Sequence, residues 1–283
     1  MLRRILKSLA RLASRMRWNR KRGKTCLRTA SASHVGGRDE QQDCVGVFVD
    51  PSGRDGLAVL ADGLGGHHGG ALASQTVVDT ADAVWNEQQR LPADVPAWLD
   101  DLVHRAHEAV AEQGRRRDLD PRSTLVALVL QDGDAYWMHV GDSRLYAFRQ
   151  RKLAARTRDH SLVEAMVQAG EIDPEEAASH PDQNVLLRSI GSRDDETVTT
   201  SHDAMAVRCG DGFILCSDGF WEVVSTQEMA ALLAARNLQA SLRAWVATAA
   251  ERHGSGGDNL SAVAVRLERS RSGIFPASGH RHG

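Results

Sequence analysis

This chain of 283 residues predicts an α+β protein built on antiparallel strands. Three observations carry that reading. First, strand-like runs follow one another across turns too short for a helical crossover. Asp132-Gly133 is a hairpin signal between runs at 123–130 and 134–140, and Gln150-Arg151 closes another. Second, helical patterns come in consecutive pairs, 69–88 with 96–116 and 226–236 with 239–252, rather than alternating singly with strands. Third, an apolar run ending in an aspartate beside glycine recurs. It reads Leu57-Ala58-Val59-Leu60-Ala61-Asp62-Gly63, Tyr136-Trp137-Met138-His139-Val140-Gly141-Asp142 and Phe213-Ile214-Leu215-Cys216-Ser217-Asp218-Gly219.

Further strand signals lie at 28–34, 44–50, 57–61, 143–149 and 152–155, and return at 196–201, 212–217 and 259–267. Each is a short run rich in β-branched, aliphatic or aromatic residues between turn-forming ones. The helices are longer: within 96–116, Leu102, Ala106 and Val110 recur at a spacing of four. From His160 to Glu196 the chain is polar and irregular, with short helical pieces at 161–169 and 174–178. His160 and Ser161 are expected to cap the first piece, because a side-chain oxygen there accepts the free N–H groups of a first helical turn. Trp85, Trp98, Trp221 and Trp245 are expected in core or layer contacts.

A composition of 42% apolar and 25% charged residues is that of a soluble globular chain with a large core. The net charge of −2 gives no reason to expect nucleic acid. That balance hides an asymmetry: Arg3 to Arg28 carries eleven Lys or Arg and no acid, so the rest is acidic. Within residues 1–24, Leu2, Ile5, Leu6, Leu9, Leu12, Ala13 and Met16 recur at helical spacing among the basic residues. The sharp reading is a helix making weak contact with an anionic membrane surface; the bland one is a solvated basic extension, or a start codon placed too far upstream. The expected division is a basic extension at 1–27, a folded domain at 28–268 and a disordered tail at 269–283. No apolar run approaches the ~20 residues of a membrane span, and Arg and Lys interrupt every candidate signal-peptide core. A cytoplasmic protein is expected, peripheral to the inner membrane face under the first reading. Cys26, Cys44, Cys209 and Cys216 contain no CxxC pair and read as small core thiols in a reducing compartment.

The recurring aspartates point to chemistry. A carboxylate at the end of a buried strand is costly to desolvate unless a positive group compensates it. Asp62, Asp142 and Asp218 end such strands, and Asp258 follows Gly256-Gly257 just before the apolar alternation of Leu260 to Leu267. Several of these at one sheet edge make an oxygen-only pocket suited to a hard divalent cation such as Mg²⁺ or Mn²⁺. Carboxylate centres of that kind perform phosphate chemistry.

Taken together, the motifs resemble the metal-dependent protein phosphatases of type 2C, bacterial branch, over about 30–268. Arg38-Asp39-Glu40-Gln41-Gln42-Asp43 resembles the opening R-x-x-N-(E/Q)-D, and Asp62-Gly63-Leu64-Gly65-Gly66-His67 fits D-G-x-G-G-H. Ser123-Thr124 lies where the family has a small residue and Thr entering a strand. Gly141-Asp142-Ser143-Arg144 fits G-D-S-R and Asp159-His160-Ser161 fits D-H-S. Ser217-Asp218-Gly219-Phe220-Trp221-Glu222 fits S-D-G-x-W-(D/E), and Gly257-Asp258-Asn259 fits G-D-N. Each piece alone is weak, since Asp-Gly is usually a turn; the ordered set is specific.

The resemblance implies a four-layer α-β-β-α sandwich, two antiparallel sheets face to face with helices outside and metals in a cleft at one edge. It implies Mn²⁺ or Mg²⁺, two per site with a possible third. Asp62 would bridge two ions and the Gly63 carbonyl would ligate one. Asp218 and Asp258 would complete the second site, Asp142 and Glu222 would hold a third, and Asp43 would ligate an ion directly or support those that do. Arg38 would grip phosphate as a bidentate donor. The implied reaction is hydrolysis of phosphoserine or phosphothreonine on proteins by metal-generated hydroxide attacking in line. His67 is the family's candidate for protonating the leaving oxygen, with a purely structural loop role as the other reading. Partners would be phosphorylated proteins, among them a bacterial Ser/Thr kinase and its targets, with the enzyme a monomer.

Gln41 stands where Asn is usual, and Gln42 where many members carry Glu. An amide ligates through oxygen without charge, so these two residues favour a rival reading, a pseudophosphatase that holds phosphoprotein without hydrolysing it. A second rival is a regulatory phosphatase dedicated to one partner. The retained Asp62, Asp218, Asp258 and Arg38 argue for catalysis. Arg144 is expected to be a structural ion-pair partner, and the other histidines, scattered through 104–107 and the tail, to be solvated.

Overall fold

Strands whose residues are apolar on both faces need cover on both sides, and that requirement stacks this chain in layers. The computed structural model describes residues 25–64, 66–87, 91–177, 180–192 and 201–270. One antiparallel sheet runs β1 (Thr25–His34), β11 (Leu260–Arg269), β10 (Gly212–Cys216), β7 (Arg144–Arg149) and β8 (Lys152–Arg156) in spatial order. The other runs β2 (Asp43–Val49), β3 (Gly56–Leu64), β5 (Leu125–Gln131), β6 (Asp134–Val140) and β9 (Ser201–Ala206). The two-residue β4 (Arg122–Ser123) pairs the end of β3.

Alternation along β3 shows how the layers form. Leu57, Val59 and Ala61 pack outward against α1 (Gly66–Asn86) and α2 (Val95–Arg117), in a cluster with Val77, Leu99 and Leu102. Ala58 and Leu60 point the other way, into the layer between the sheets, where they join Leu128, Phe213, Leu215 and Val263. On the far side, Ile214 and Cys216 pack against α6 (Thr226–Ala234) and α7 (Leu238–His253) through Leu232, Leu242 and Val246. The result is the four-layer sandwich, α1–α2 on one sheet and α6–α7 on the other. Each fully buried Leu or Phe contributes roughly 1.5–3 kcal/mol relative to exposure.

The local signals behave as their chemistry dictates. Asp94 caps α2 by accepting from the Ala97 N–H at 3.3 Å. Ser161 does the same for Glu164 at the start of α3 (Leu162–Ala169), and Ser225 with Glu228 forms a capping box on α6. The Asp132-Gly133 hairpin has φ of 51° and 84° at its two central residues, and Gln150-Arg151 has 52° and 63°. Both are turns whose twist matches the flanking strands. Among its described residues, the segment between β8 and β9 holds the helices α3 and the short α4 (Pro174–Ala177). The short α5 (Asp218–Trp221), which the apolar pattern does not announce, follows β10.

Several expectations need correction. The strand expected at 28–34 already runs from Thr25, and the one expected at 259–267 runs on to Arg269, because Thr25–Leu27 pair with Leu267–Arg269. Of the strand expected at 196–201 only Ser201 lies among the described residues; it opens β9, which pairs with β6. Its sequence is a polar edge strand, less strand-like than Thr-Val-Thr-Thr just before it; 193–200 lie outside the described residues. Only Cys216 of the four cysteines is fully buried; Cys209 is exposed, and all four are free thiols. His107 is not simply solvated, since its Nδ1 accepts from the Gly191 N–H at 3.2 Å. Residues 1–24, most of the tail and the side chain of His67 also lie outside the described residues.

Candidate active site

The strand-end carboxylates converge because the two sheets share one end. Asp43 and Asp62 sit directly opposite one another across β2 and β3. Asp62 lies in phase with Ala58 and Leu60, and Asp43 with Val45 and Val47, so both face the gap between the sheets. Asp142 precedes β7, Asp218 follows β10 and Asp258 precedes β11, all in the facing sheet. Glu222 follows α5 by one residue.

The backbone around these acids is pinned by neighbours far away in sequence. The Asp62 N–H donates to Thr124 Oγ1 at 2.9 Å, the Asp62 carbonyl accepts from Thr124 N–H at 2.8 Å, and Ser123 Oγ donates to the same carbonyl. Ser217 Oγ donates to Asp43 Oδ2 at 2.8 Å. Gly63 is fixed by close approach: a Cβ there would lie 2.0 Å from the Gly70 carbonyl oxygen. Only glycine lets β3 pass so near the first turn of α1.

Gln41 proves structural through its side chain, and Gln42 ties elements together through its backbone. Gln41 Oε1 accepts from the Asp43 N–H at 2.9 Å, closing the turn into β2. The Gln42 backbone joins two elements, donating to Asn259 Oδ1 at 2.7 Å and accepting from the Gly63 N–H. Asn259 is the organiser that the sequence did not single out. Its Nδ2 donates to the carbonyls of Val35 and Glu40, at 2.8 and 3.0 Å. One buried amide thereby holds both ends of the loop that carries Arg38. Arg38 reaches over the cleft mouth, with Nη2 donating to Asp258 Oδ2 at 2.7 Å while 60% of its side chain stays exposed.

Arg144 is the ion-pair partner expected. It makes a two-pronged contact with Asp159 at 2.6 and 2.8 Å, and its guanidinium lies 3.3 Å from the Trp221 ring centre. Trp221 in turn donates its indole N–H to the Asp142 carbonyl at 3.1 Å. Asp142 is thus braced from behind by a stack of Trp221, Arg144 and Asp159.

The electrostatics are those of a site waiting for positive charge. Burial, reinforced by Asp218 and Asp258, pushes the Asp43 carboxyl up to about 7 despite the Ser217 hydroxyl. Burial, then Asp218 and Asp159, pushes Asp142 up to about 7. Burial, then Asp258 and Glu222, pushes Asp218 up to about 6. Asp62 is held well above the usual carboxylate range by burial and by Asp43, Asp218, Asp142 and Asp258. Glu222 is raised by burial, with His253 opposing. Asp43 Oδ1 is buried with no hydrogen-bond partner among the described residues. Among the described residues, no three acid, histidine or cysteine side chains already close into a finished cage. The fit therefore rests on the donor set: hard oxygens, mutually repelling, one of them orphaned, which is what a hard divalent cation satisfies.

The structure brings Asp43, Asp62, Gly63, Asp142, Asp218, Glu222 and Asp258 to one end of the sandwich, with Arg38 at its rim. His67 lies in the first turn of α1 by its backbone.

The similarities to known proteins coincide with this frame. A family model described as protein phosphatase 2C matches residues 30–258. A serine/threonine phosphatase of Listeria monocytogenes, stp, is 30% identical over 240 residues, covering 83% of this chain and 94% of its own. The phosphatase PstP of Mycobacterium tuberculosis is 34% identical over 209 residues, 73% of this chain and 39% of its own. Among solved structures, the S. agalactiae serine/threonine phosphatase has a TM-score of 0.78 at 29% identity, covering 86% of this chain and all of that one. The catalytic domain of PstP, solved with two manganese ions, has a TM-score of 0.73 at 29% identity, covering 87% and 100%.

Proposed function

The chain belongs to the protein phosphatase 2C family, and from that premise we propose how its residues divide the work of a metal-dependent protein serine/threonine phosphatase. The observation that carries the reading is the set of mutually repelling carboxylates at the ends of β3, β10 and β11, with Arg38 across the cleft mouth.

Asp62, Asp218 and Asp258, with the Gly63 carbonyl, are the residues that would hold two Mn²⁺ or Mg²⁺ ions, and Asp43 would sit beside them. Asp142 and Glu222, on either side of Asp218, would hold a third. Bound divalent cations supply Lewis acidity to the phosphoryl oxygens and to an attacking water. Arg38 presents two parallel N–H groups to the phosphoryl oxygens as charge builds on them. Asn259 keeps the Arg38 loop in place, and the Trp221–Arg144–Asp159 stack keeps Asp142 from moving away. His67, in the first turn of α1, is assigned to protonate the Ser or Thr leaving oxygen. Phosphorylated proteins are the substrates, and a Ser/Thr kinase is the opposing partner.

Hydrolysis of an aryl phosphate and of a phosphothreonine peptide should require added Mn²⁺, stop with chelator and resume on replenishment. Metal-tight binding of the peptide without turnover would instead favour the pseudophosphatase. Its motivation has weakened at Gln41, whose amide anchors the turn into β2.

The raised carboxyls also set a pH dependence. Asp43 and Asp142 titrate near 7 in the fold, against about 4 in an unfolded chain. A folded-state value above the unfolded one means the fold binds those protons more tightly. The metal-free protein should therefore melt a few degrees higher at pH 6.5 than at pH 8. Below about 6.5 the trend should flatten, because His139 and His160 are held neutral by burial and resist charging. At pH 8, Mn²⁺ should raise the melting temperature as acid does; a metal-free melting temperature that falls from pH 8 to 6.5 would contradict the charge cluster.

No helix among the described residues is long and apolar enough to cross a membrane. We assign residues 1–24 no part in turnover. Deleting them should leave hydrolysis of a soluble aryl phosphate unchanged. If the apolar stripe meets a membrane, the full chain should sediment with anionic vesicles and come off in salt, each basic residue contributing about 1 kcal/mol. Equal partition of full-length and truncated protein would reduce the segment to a solvated extension.

A further inference from the structure

A second cleft opens on the lateral edge of the sandwich, away from the carboxylates. β8 and β9 are the outermost strands of the two sheets on the same side. Between them, under α3, lies a cavity of about 930 Å³ reaching the inner face of β6. That volume is in the range of small-molecule sites.

Its walls are rich in donors. Arg156, Arg158 and Arg188 line it, against the carboxylates of Asp159 and Asp203. Asp159 is already engaged by Arg144, and Arg149, also at the edge, is engaged by Asp211. Trp137, only 3% exposed, contributes a buried indole N–H with no acceptor among the described residues. An unpaired buried donor is destabilising unless something accepts from it. His139 and His160 stack 4.4 Å apart in the same wall. His160 Nδ1 accepts from the Gly141 N–H, which leaves its other nitrogen as the N–H donor of a neutral ring. Burial and the nearby Arg188 hold both rings neutral, so they do not repel a cation-lined ligand site further. Exposed Leu187 adds an apolar lip.

From these donors we propose that the lateral cleft is a second phosphoryl-binding site, distinct from the carboxylate centre. Arg156 and Arg158 supply charge at its mouth, and Trp137 Nε1 and the His160 N–H supply neutral donors at its floor. The phosphoryl group has two possible carriers, a free small phosphorylated molecule or a second phosphorylated residue on the protein substrate. The site abuts the catalytic end through Asp159, which braces Arg144.

Equilibrium dialysis of the metal-loaded full chain against labelled inorganic phosphate tests the site directly. Two binding classes per chain are expected. One should weaken at least tenfold in R156E/R158E, whose kcat for an aryl phosphate should stay unchanged, and about tenfold in Trp137→Phe. The other should weaken in Arg38→Ala. A single class abolished by Arg38→Ala, or a second class indifferent to both cleft variants, overturns the proposal. A peptide arm identifies the carrier. If the substrate brings the group, R156E/R158E should raise KM for a doubly phosphorylated peptide and leave the singly phosphorylated one alone. If a free molecule brings it, both KM values should stay put while the dialysis class is lost. The peptide arm rests on the phosphatase reading and the dialysis arm does not, so the failure of one is distinguishable from the failure of the other.

Discussion

Asp218→Asn is expected to abolish manganese-dependent hydrolysis, by a hundredfold or more, while leaving the fold intact. The loss follows from charge: an amide oxygen can occupy the position but cannot balance a divalent cation. Removing even the supporting partners of metal ligands typically costs ten- to a hundredfold, so losing a ligand costs at least that. Intactness follows from the same environment. Asp218 lies among Asp62, Asp258 and Glu222, and its carboxyl is raised to about 6 because ionisation there is unfavourable. A neutral side chain relieves that repulsion, and Asn Oδ1 still accepts from the Gly219 N–H, as Asp218 Oδ1 does at 2.6 Å. The metal-free variant should therefore melt no lower than wild type at pH 8. Activity above a tenth of wild type at saturating manganese would sink the assignment of Asp218, and a lower melting temperature would sink the repulsion argument.

Arg38→Ala should lower kcat/KM for a phosphopeptide by one decade or more, with Arg38→Lys recovering little because a point charge does not reproduce the planar fork. Stability should scarcely change, since the Arg38–Asp258 pair is exposed at 60% and 39% of its side-chain surfaces and such pairs contribute about 0–1 kcal/mol. The pair does sharpen the metal prediction. Arg38 leans on Asp258, so removing it frees a carboxylate rather than destroying one. Calorimetric manganese affinity should be unchanged or slightly tighter; lost affinity would show that Arg38 organises the metal centre instead of the phosphate.

The clustered acids were legible because each breaks a rule where it stands. An ionisable residue at the end of a fully apolar strand, as at Asp62 and Asp218, has no packing reason to be there. The resemblance then ordered them and supplied Arg38. What stayed illegible is what only folding brings together. Asn259 lies 217 residues from Gln42 and 224 from Val35, and nothing local distinguishes its amide from a turn residue. The Arg144–Asp159 brace could be guessed as an ion pair but not as the back wall of Asp142. β9 was legible only at its first residue, because an edge strand needs little apolar character and the stretch after Ser201 carries little of it. The lateral cleft was invisible for a related reason: Trp137 and His139 read as ordinary members of an apolar strand, and only the sandwich edge turns them into a wall.

The long pairing of β1 with β11 fixes how the molecule would hang from any anchor. Thr25 is registered against Arg269, and His34 against Leu260, next to the Asp258 that faces the catalytic cleft. Ten strand residues at about 3.3 Å each separate the two ends by roughly 30 Å. Whatever grips the chain ahead of Thr25 grips it at the pole remote from the chemistry, and the stretch beyond Arg269 departs from that same pole. A domain held there would keep its own body between the cleft mouth and the point of attachment.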